Sequence, residues 1–182
     1  MTNFKTPRHH WNYFLALDKD LEKLSRYIEF CDDNLKVYSI ELTHILLSAS
    51  SEVDVVMKQF CNLIDPNQPA NNINDYKTLI QTNVPLFINE EITIDRFGLS
   101  YYPWSNWIGT INPDWWKSYN HVKHQRNKYF NEANLENTIN AVGALLLATV
   151  YYYKYAFSEE AGHDIKIRNT TLELDSDSTF LM

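Results

Sequence analysis

Apolar residues recur every three or four positions through most of this 182-residue chain, the spacing of helices that bury one face. Over residues 11–30 the stripe is Phe14, Leu17, Leu21, Leu24 and Ile28, while Asp18, Lys19, Asp20, Glu22 and Lys23 fill the opposite side. Residues 31–34 interrupt it. A second stretch, 35–64, carries Leu42, Ile45, Leu46, Ala49, Val53, Val56, Phe60 and Leu63 and predicts a long core helix. Pro66 and Pro69 with Asn67, Asn71 and Asn72 predict a loop, because proline ends helices and asparagine tolerates turn geometry. A short helix is expected over 75–81. Between 84 and 110 the period shortens to two around Ile92 and Ile94, with Gly98, Pro103 and Gly109 as punctuation, so an irregular excursion with one small β-hairpin is expected. Asn112 as N-cap and Pro113 as first helical residue open a helix that runs to about Tyr129. The strongest stripe of the chain then follows over 135–157, with Leu135, Ile139, Val142, Leu146, Val150, Tyr153 and Phe157.

Length and composition sharpen this picture. The chain fits one domain, residues 1–157, followed by an acidic tail, 158–182, with six acidic residues against two basic ones. In the tail, residues 165–174 alternate apolar and polar positions, which predicts a strand or an irregular arm. Four glycines rule out Rossmann and P-loop readings, and a net charge of −7 argues against a surface that coats nucleic acid throughout. Any site for a polyanion must be local. Cys31 and Cys61 form no CxxC or Cys/His cluster, the N-terminus has no apolar signal core, and the uncharged run 137–153 is too short and too polar to span a bilayer. A reduced, cytoplasmic protein without membrane contact is expected.

One segment reverses the acidic balance. In residues 112–130, Lys117, Lys123, Arg126 and Lys128 stand against Asp114 alone. At about 100° per residue, Lys117, Asn120, His121, His124, Asn127 and Lys128 share a polar arc, and Trp115, Tyr119, Val122, Tyr129 and Phe130 the apolar one. A histidine beside lysine and asparagine can move a proton near neutral pH while its neighbours hold an anionic oxygen, the requirement of a phosphodiester site. The same residues also make an ordinary solvated helix face. His121 and His124 form an HxxH pair with no third ligand nearby, so no metal and no cofactor is expected. On the second long helix, Glu52 either orients a base from another helix or, with Asp54 and Lys58, serves solubility. Tyr151, Tyr152, Tyr153 and Tyr155 fit core packing or base stacking.

The run Trp115-Trp116-Lys117-Ser118-Tyr119-Asn120-His121-Val122-Lys123-His124-Gln125-Arg126, followed by Phe130, Ala133, Leu135 and Asn137, resembles the motif helix of bacterial HEPN-domain proteins. Residues 51–58 are similar to the acidic second helix of that group. The resemblance covers roughly residues 40–157 in two blocks. It implies an all-α, up-and-down bundle that forms a homodimer, in proteins of toxin–antitoxin, abortive-infection or phage-defence type. Many members are metal-independent endoribonucleases. Under the resemblance, His124 matches the motif histidine and Asn120 the polar residue beside the motif arginine. Tyr119 occupies the arginine's place, and Lys117, on the same arc as Asn120 and His124, is the nearest surrogate, without the bidentate fork of arginine. Catalysis would rest on His124, Asn120 and Lys117, RNA binding on His121, Arg126 and Lys128, and support on Glu52 and Tyr119. The alternative is a non-catalytic HEPN-like module that dimerises and binds a protein or nucleotide, with an antitoxin or defence-system protein as candidate partner.

Overall fold

The computed structural model describes residues 4–174 and 179–182. Among them are six α-helices, α1 (His9–Leu24), α2 (Ile40–Ile64), α3 (Ile73–Asn83), α4 (Asp114–Tyr129), α5 (Leu135–Ala161) and α6 (Ile167–Leu174), and one antiparallel hairpin, β1 (Ile92–Ile94) and β2 (Leu99–Tyr101). The protein is all-α with a small hairpin.

Local chemistry sets the helix ends. The stripe that reaches Ile28 predicts a longer α1, but Ser25 donates its hydroxyl to the Glu22 carbonyl at 2.7 Å and the chain leaves the helix in turns. The helix expected from residue 35 begins five residues later. Ser39 caps it, its Oγ accepting the Leu42 N–H at 3.1 Å. Residues 35–38 leave a turn at Leu35 and Lys36 and run against the start of α5: Val37 and Leu35 carbonyls accept the Leu135 and Glu136 N–H groups, and Tyr38 bridges Asn134. Asn72 caps α3 and Asn134 caps α5 in the same manner, while Gly162, with φ of +72°, closes α5 in a left-handed C-terminal turn.

The two longest helices, α2 and α5, pack along one another, with α1, α4 and α6 also against α5. Leu42, Leu46, Ala49, Val53 and Phe60 from α2 meet Ile139, Val142, Leu145, Tyr153 and Phe157 from α5 in one buried core. The hairpin closes over the middle of α5, where Gly143 makes room: a Cβ there would stand 2.8 Å from Ile92 Cγ1. Tyr151 and Tyr153 are buried and Tyr152 and Tyr155 half-buried among aromatic neighbours such as Phe60 and Phe87, which is packing rather than a stacking platform.

The tail corrects the sequence reading. Residues 167–174 form a helix, not a strand or irregular arm, because Ile167, Thr170 and Leu174 share one face at helical spacing and Thr170 and Leu174 are buried by it. A short alternating run satisfies both periods. The β-like pairing comes later: the Met182 N–H and carbonyl exchange hydrogen bonds with Thr93 on β1, at 3.0 and 2.6 Å. Beside it the Asp18 carboxylate on α1 accepts the Phe180 and Leu181 N–H groups at 2.8 and 3.0 Å, and Leu181 is fully buried. No helix among the described residues is long and apolar enough to cross a membrane.

Candidate nucleic-acid interface

Helix α4 carries most of the candidate residues. Pro113, rather than Asn112, holds the N-cap position, and the Asn112 amide instead donates to Asn74 Oδ1 at 3.0 Å. Trp115, Ser118, Tyr119 and Val122 face inward. Trp115 is pinned by its indole N–H, which donates to the Pro103 carbonyl at 2.8 Å, and Tyr119 packs on Trp116. Up to Val122 the apolar arc is therefore where its period puts it, while Tyr129 and Phe130, beyond Gln125, are half-buried.

The polar arc is not continuous. Gln125, at φ −142° and ψ 48°, breaks the helical geometry. Asn127 stays beside His124, and Lys128 borders neither surface that the other arc residues line. Across the break His121 stacks on Tyr129 at 4.4 Å and sets Nδ1 2.9 Å from Glu132 Oε2, holding the two segments together. Lys128 lies over the Tyr129 ring.

The candidates divide between two surfaces. Lys117, Asn120 and His121 border a shallow depression with Thr110, Asn112 and Trp116, and the Asn120 amide donates within α4 to the Trp116 carbonyl at 2.8 Å. His124 and Arg126 border a separate groove of about 930 Å³ between α2 and the C-terminal half of α4. Its floor is Ile40, Leu47, Val122 and Phe130, and Lys123 completes the cationic wall. Within one chain, Lys117 and His124 therefore do not line one cavity.

The groove has the electrostatics of an anion site. No acidic residue lines it, on a protein whose net charge is −7. Among the described residues, His124 and Arg126 have no hydrogen-bond or ion-pair partner, so both side chains are free to meet a ligand. Lys123, which sequence reasoning passed over, reaches back to donate to the Tyr119 hydroxyl at 3.1 Å. Its charge in the basic segment was visible in the sequence, but the break at Gln125, after which Arg126 joins Lys123 and His124 at one groove, carries no glycine or proline to mark it.

Glu52 does pair with a base from another helix, and that base is His10 on α1: Nδ1 to Oε1 is 2.6 Å, with Tyr152 edge-on to the imidazole at 5.2 Å. Asp54 is engaged twice, by Lys58 at 2.7 Å and by the Tyr76 hydroxyl at 2.7 Å. Neither carboxylate borders the cationic groove. No group of three or more His, Cys, Asp or Glu among the described residues is placed to hold a metal ion. No family model, curated protein or solved structure matches this chain.

Proposed function

We propose that the α2–α4 groove binds RNA and that the protein is a HEPN-like, metal-independent endoribonuclease of defence or toxin–antitoxin type. The observation that carries this reading is a groove walled by Lys123, His124 and Arg126 and bordered by no carboxylate. Lysine and arginine hold the phosphate, and His124 exchanges a proton with the attacking 2′-hydroxyl or with the leaving oxygen. One histidine serves only one of these two roles at a time. A homodimer that brings two His124 side chains to one cleft supplies both, and gives Lys117 and Asn120 of one copy a route to the groove of the other.

The test is RNA cleavage by the purified protein in EDTA, beside His124→Ala, with sedimentation for the dimer. Cleavage that survives chelation and is lost in His124→Ala supports the reading. Loss of cleavage in EDTA, or full activity in His124→Ala, refutes it. Lys123→Ala and Arg126→Ala should each weaken RNA binding and lower the salt-dependence slope by about one.

The second reading, a non-catalytic HEPN-like module for dimerisation and partner binding, is favoured by a specific observation. Tyr119 stands where the motif arginine belongs and is buried, and the Asn120 amide and His121 Nδ1 are engaged within the protein. RNA bound with salt dependence but never cut would select it.

A further inference from the structure

The cationic wall accounts for only half of the α2–α4 groove. Its floor of Ile40, Leu47, Val122 and Phe130 is apolar, and much of it is uncovered: Ile40 is 63% exposed, and Leu47 and Phe130 are half-buried. A site that gripped phosphate alone would gain nothing from such a floor, because apolar surface left in water adds no affinity for an anion.

Phe130 is held in place there. Tyr38, itself 50% exposed, sets its ring at 76° to that of Phe130 with centroids 5.3 Å apart, and the Tyr38 backbone is fixed by its bridge to Asn134. An edge-to-face contact of this kind is favourable and stiffens both rings. Asn127, three residues before Phe130, borders the same groove, and its amide has no partner among the described residues.

A ligand that matches wall and floor together joins a negative charge to a flat, weakly polar ring with a hydrogen-bonding edge. A nucleotide whose base is unpaired has this form. In a duplex the base faces are stacked on one another and the edges are paired, so a duplex offers the groove little beyond its phosphates. A fatty-acid anion also joins charge to apolar surface, but its chain has no edge for Asn127 to bond and no π-face to set on Phe130.

We propose that Phe130, supported by Tyr38, is a base-stacking subsite of the groove. One unpaired nucleobase lies on Phe130 and the apolar floor, Asn127 bonds its edge, and Lys123 and Arg126 hold the adjoining phosphates. This inference rests on the RNA reading above and adds which part of an RNA the groove selects. The Asn127 amide presents both a donor and an acceptor and so fits the edge of any base. Selection is therefore for an unpaired base rather than for a sequence.

The test is fluorescence anisotropy of the full chain with labelled probes of about ten nucleotides, at one low salt concentration. Three probes serve: single-stranded oligouridylate, an abasic strand of the same length and charge, and an RNA duplex, all with 2′-fluoro sugars that lack the attacking hydroxyl. Stacking of one base on an aromatic ring changes affinity roughly five- to hundredfold, so oligouridylate should bind about tenfold tighter than the abasic strand. Phe130→Leu keeps an apolar side chain but removes the ring. It should lower oligouridylate affinity about tenfold and leave the abasic and duplex affinities unchanged, and Tyr38→Leu should act in the same direction more weakly. Equal affinity for oligouridylate and the abasic strand overturns the proposal, as does an equal loss on all three probes in Phe130→Leu. Displacement of oligouridylate by laurate but not by uridine monophosphate would assign the floor to an aliphatic anion and also overturns it. Should Phe130→Leu melt early, Tyr38→Leu decides alone, and an undiminished preference for the strand with bases counts against the subsite. Binding that needs Lys123 and Arg126 but ignores the bases removes the subsite and leaves the RNA groove standing. Binding of every probe that is indifferent to Lys123→Ala and Arg126→Ala removes both.

Discussion

Removing the Asp18 carboxylate tests whether the last residues of the chain hold the fold or merely rest on it. In Asp18→Ala the Phe180 and Leu181 N–H groups lose their acceptor, and Leu181 is fully buried. A hydrogen bond to a charged group contributes about 1.5–3 kcal/mol, so the two together set an upper range of roughly 3–6 kcal/mol. Keeping a carboxylate at a nearly buried position costs part of that, which leaves a net loss of about 2–4 kcal/mol. For a chain of this size the melting temperature should fall by roughly 5–15 °C. Leu181→Ala should cost a similar about 2–5 kcal/mol by emptying its pocket. If both act by freeing one segment, the double mutant should lose less than the sum by on the order of 1–3 kcal/mol. Burial pushes the Asp18 carboxyl above its ordinary value, outweighing the two amides that pull it down. The folded state then binds this proton more tightly than the unfolded chain. The group's favourable contribution is complete below the ordinary carboxyl range and is lost as pH rises through the raised value. Denaturant titrations of wild type and Asp18→Asn across the acid range should show the wild-type advantage shrinking in that window. An Asp18→Ala loss under about 0.5 kcal/mol, with effects strictly additive to Leu181→Ala, would refute the clasp.

Three other outcomes follow from packing. Gly143→Ala should destabilise by about 1–2 kcal/mol despite its helical position, because the new methyl would stand 2.8 and 2.9 Å from Ile92 and 3.3 Å from Pro103; a gain in melting temperature would show that the hairpin shifts freely. Tyr119→Ala should cost about 2–4 kcal/mol and Lys117→Ala under about 0.5 kcal/mol by chemical denaturation, since one is buried and the other exposed. Cys61 is fully buried, and burial, helped by Asp75, pushes its thiol up to about 12, so a thiol reagent at pH 8 should modify Cys31 in the native protein and reach Cys61 only after unfolding. Equal native rates would mean that the α2–α3 contact opens readily.

The fold was legible wherever a stripe was long. Residues 135–157 carry enough turns to exclude any other period, and α5 occupies them with one further turn. Legibility failed where a few residues satisfied two patterns. Residues 35–39 continue the apolar run of α2, yet the Ser39 cap and the backbone bonds to Leu135 and Glu136 draw them into a turn and a single bridge at Tyr38. Those partners lie about a hundred residues away, and no local window contains them. The same holds for Met182 and Thr93.

The candidate site shows a subtler failure. Reading 114–129 as one uninterrupted helix puts Trp115, Tyr119 and Val122 on the buried side, where they are, and leaves the buried Ser118 unassigned. Beyond Gln125 the angle count no longer applies. The break is fixed by contacts that close only in three dimensions: His121 stacked on Tyr129, Glu132 reaching back from the next turn, and Phe130 against Tyr38 at 5.3 Å. Its effect on chemistry is to exchange partners. His124 meets Lys123 and Arg126 at the groove, with Asn127 kept beside it and Lys128 left out, while Lys117 and Asn120 border another surface. The catalytic and RNA-binding residues expected from the sequence and the groove of the folded chain therefore share His124 and Arg126, while Lys117, Asn120, His121 and Lys128 fall outside the groove and Lys123 joins it. Mutating Lys123 and Lys117 in parallel separates them: loss of RNA affinity at Lys123 alone locates the phosphate in the single-chain groove, and equal loss at both requires a second copy to bring Lys117 across.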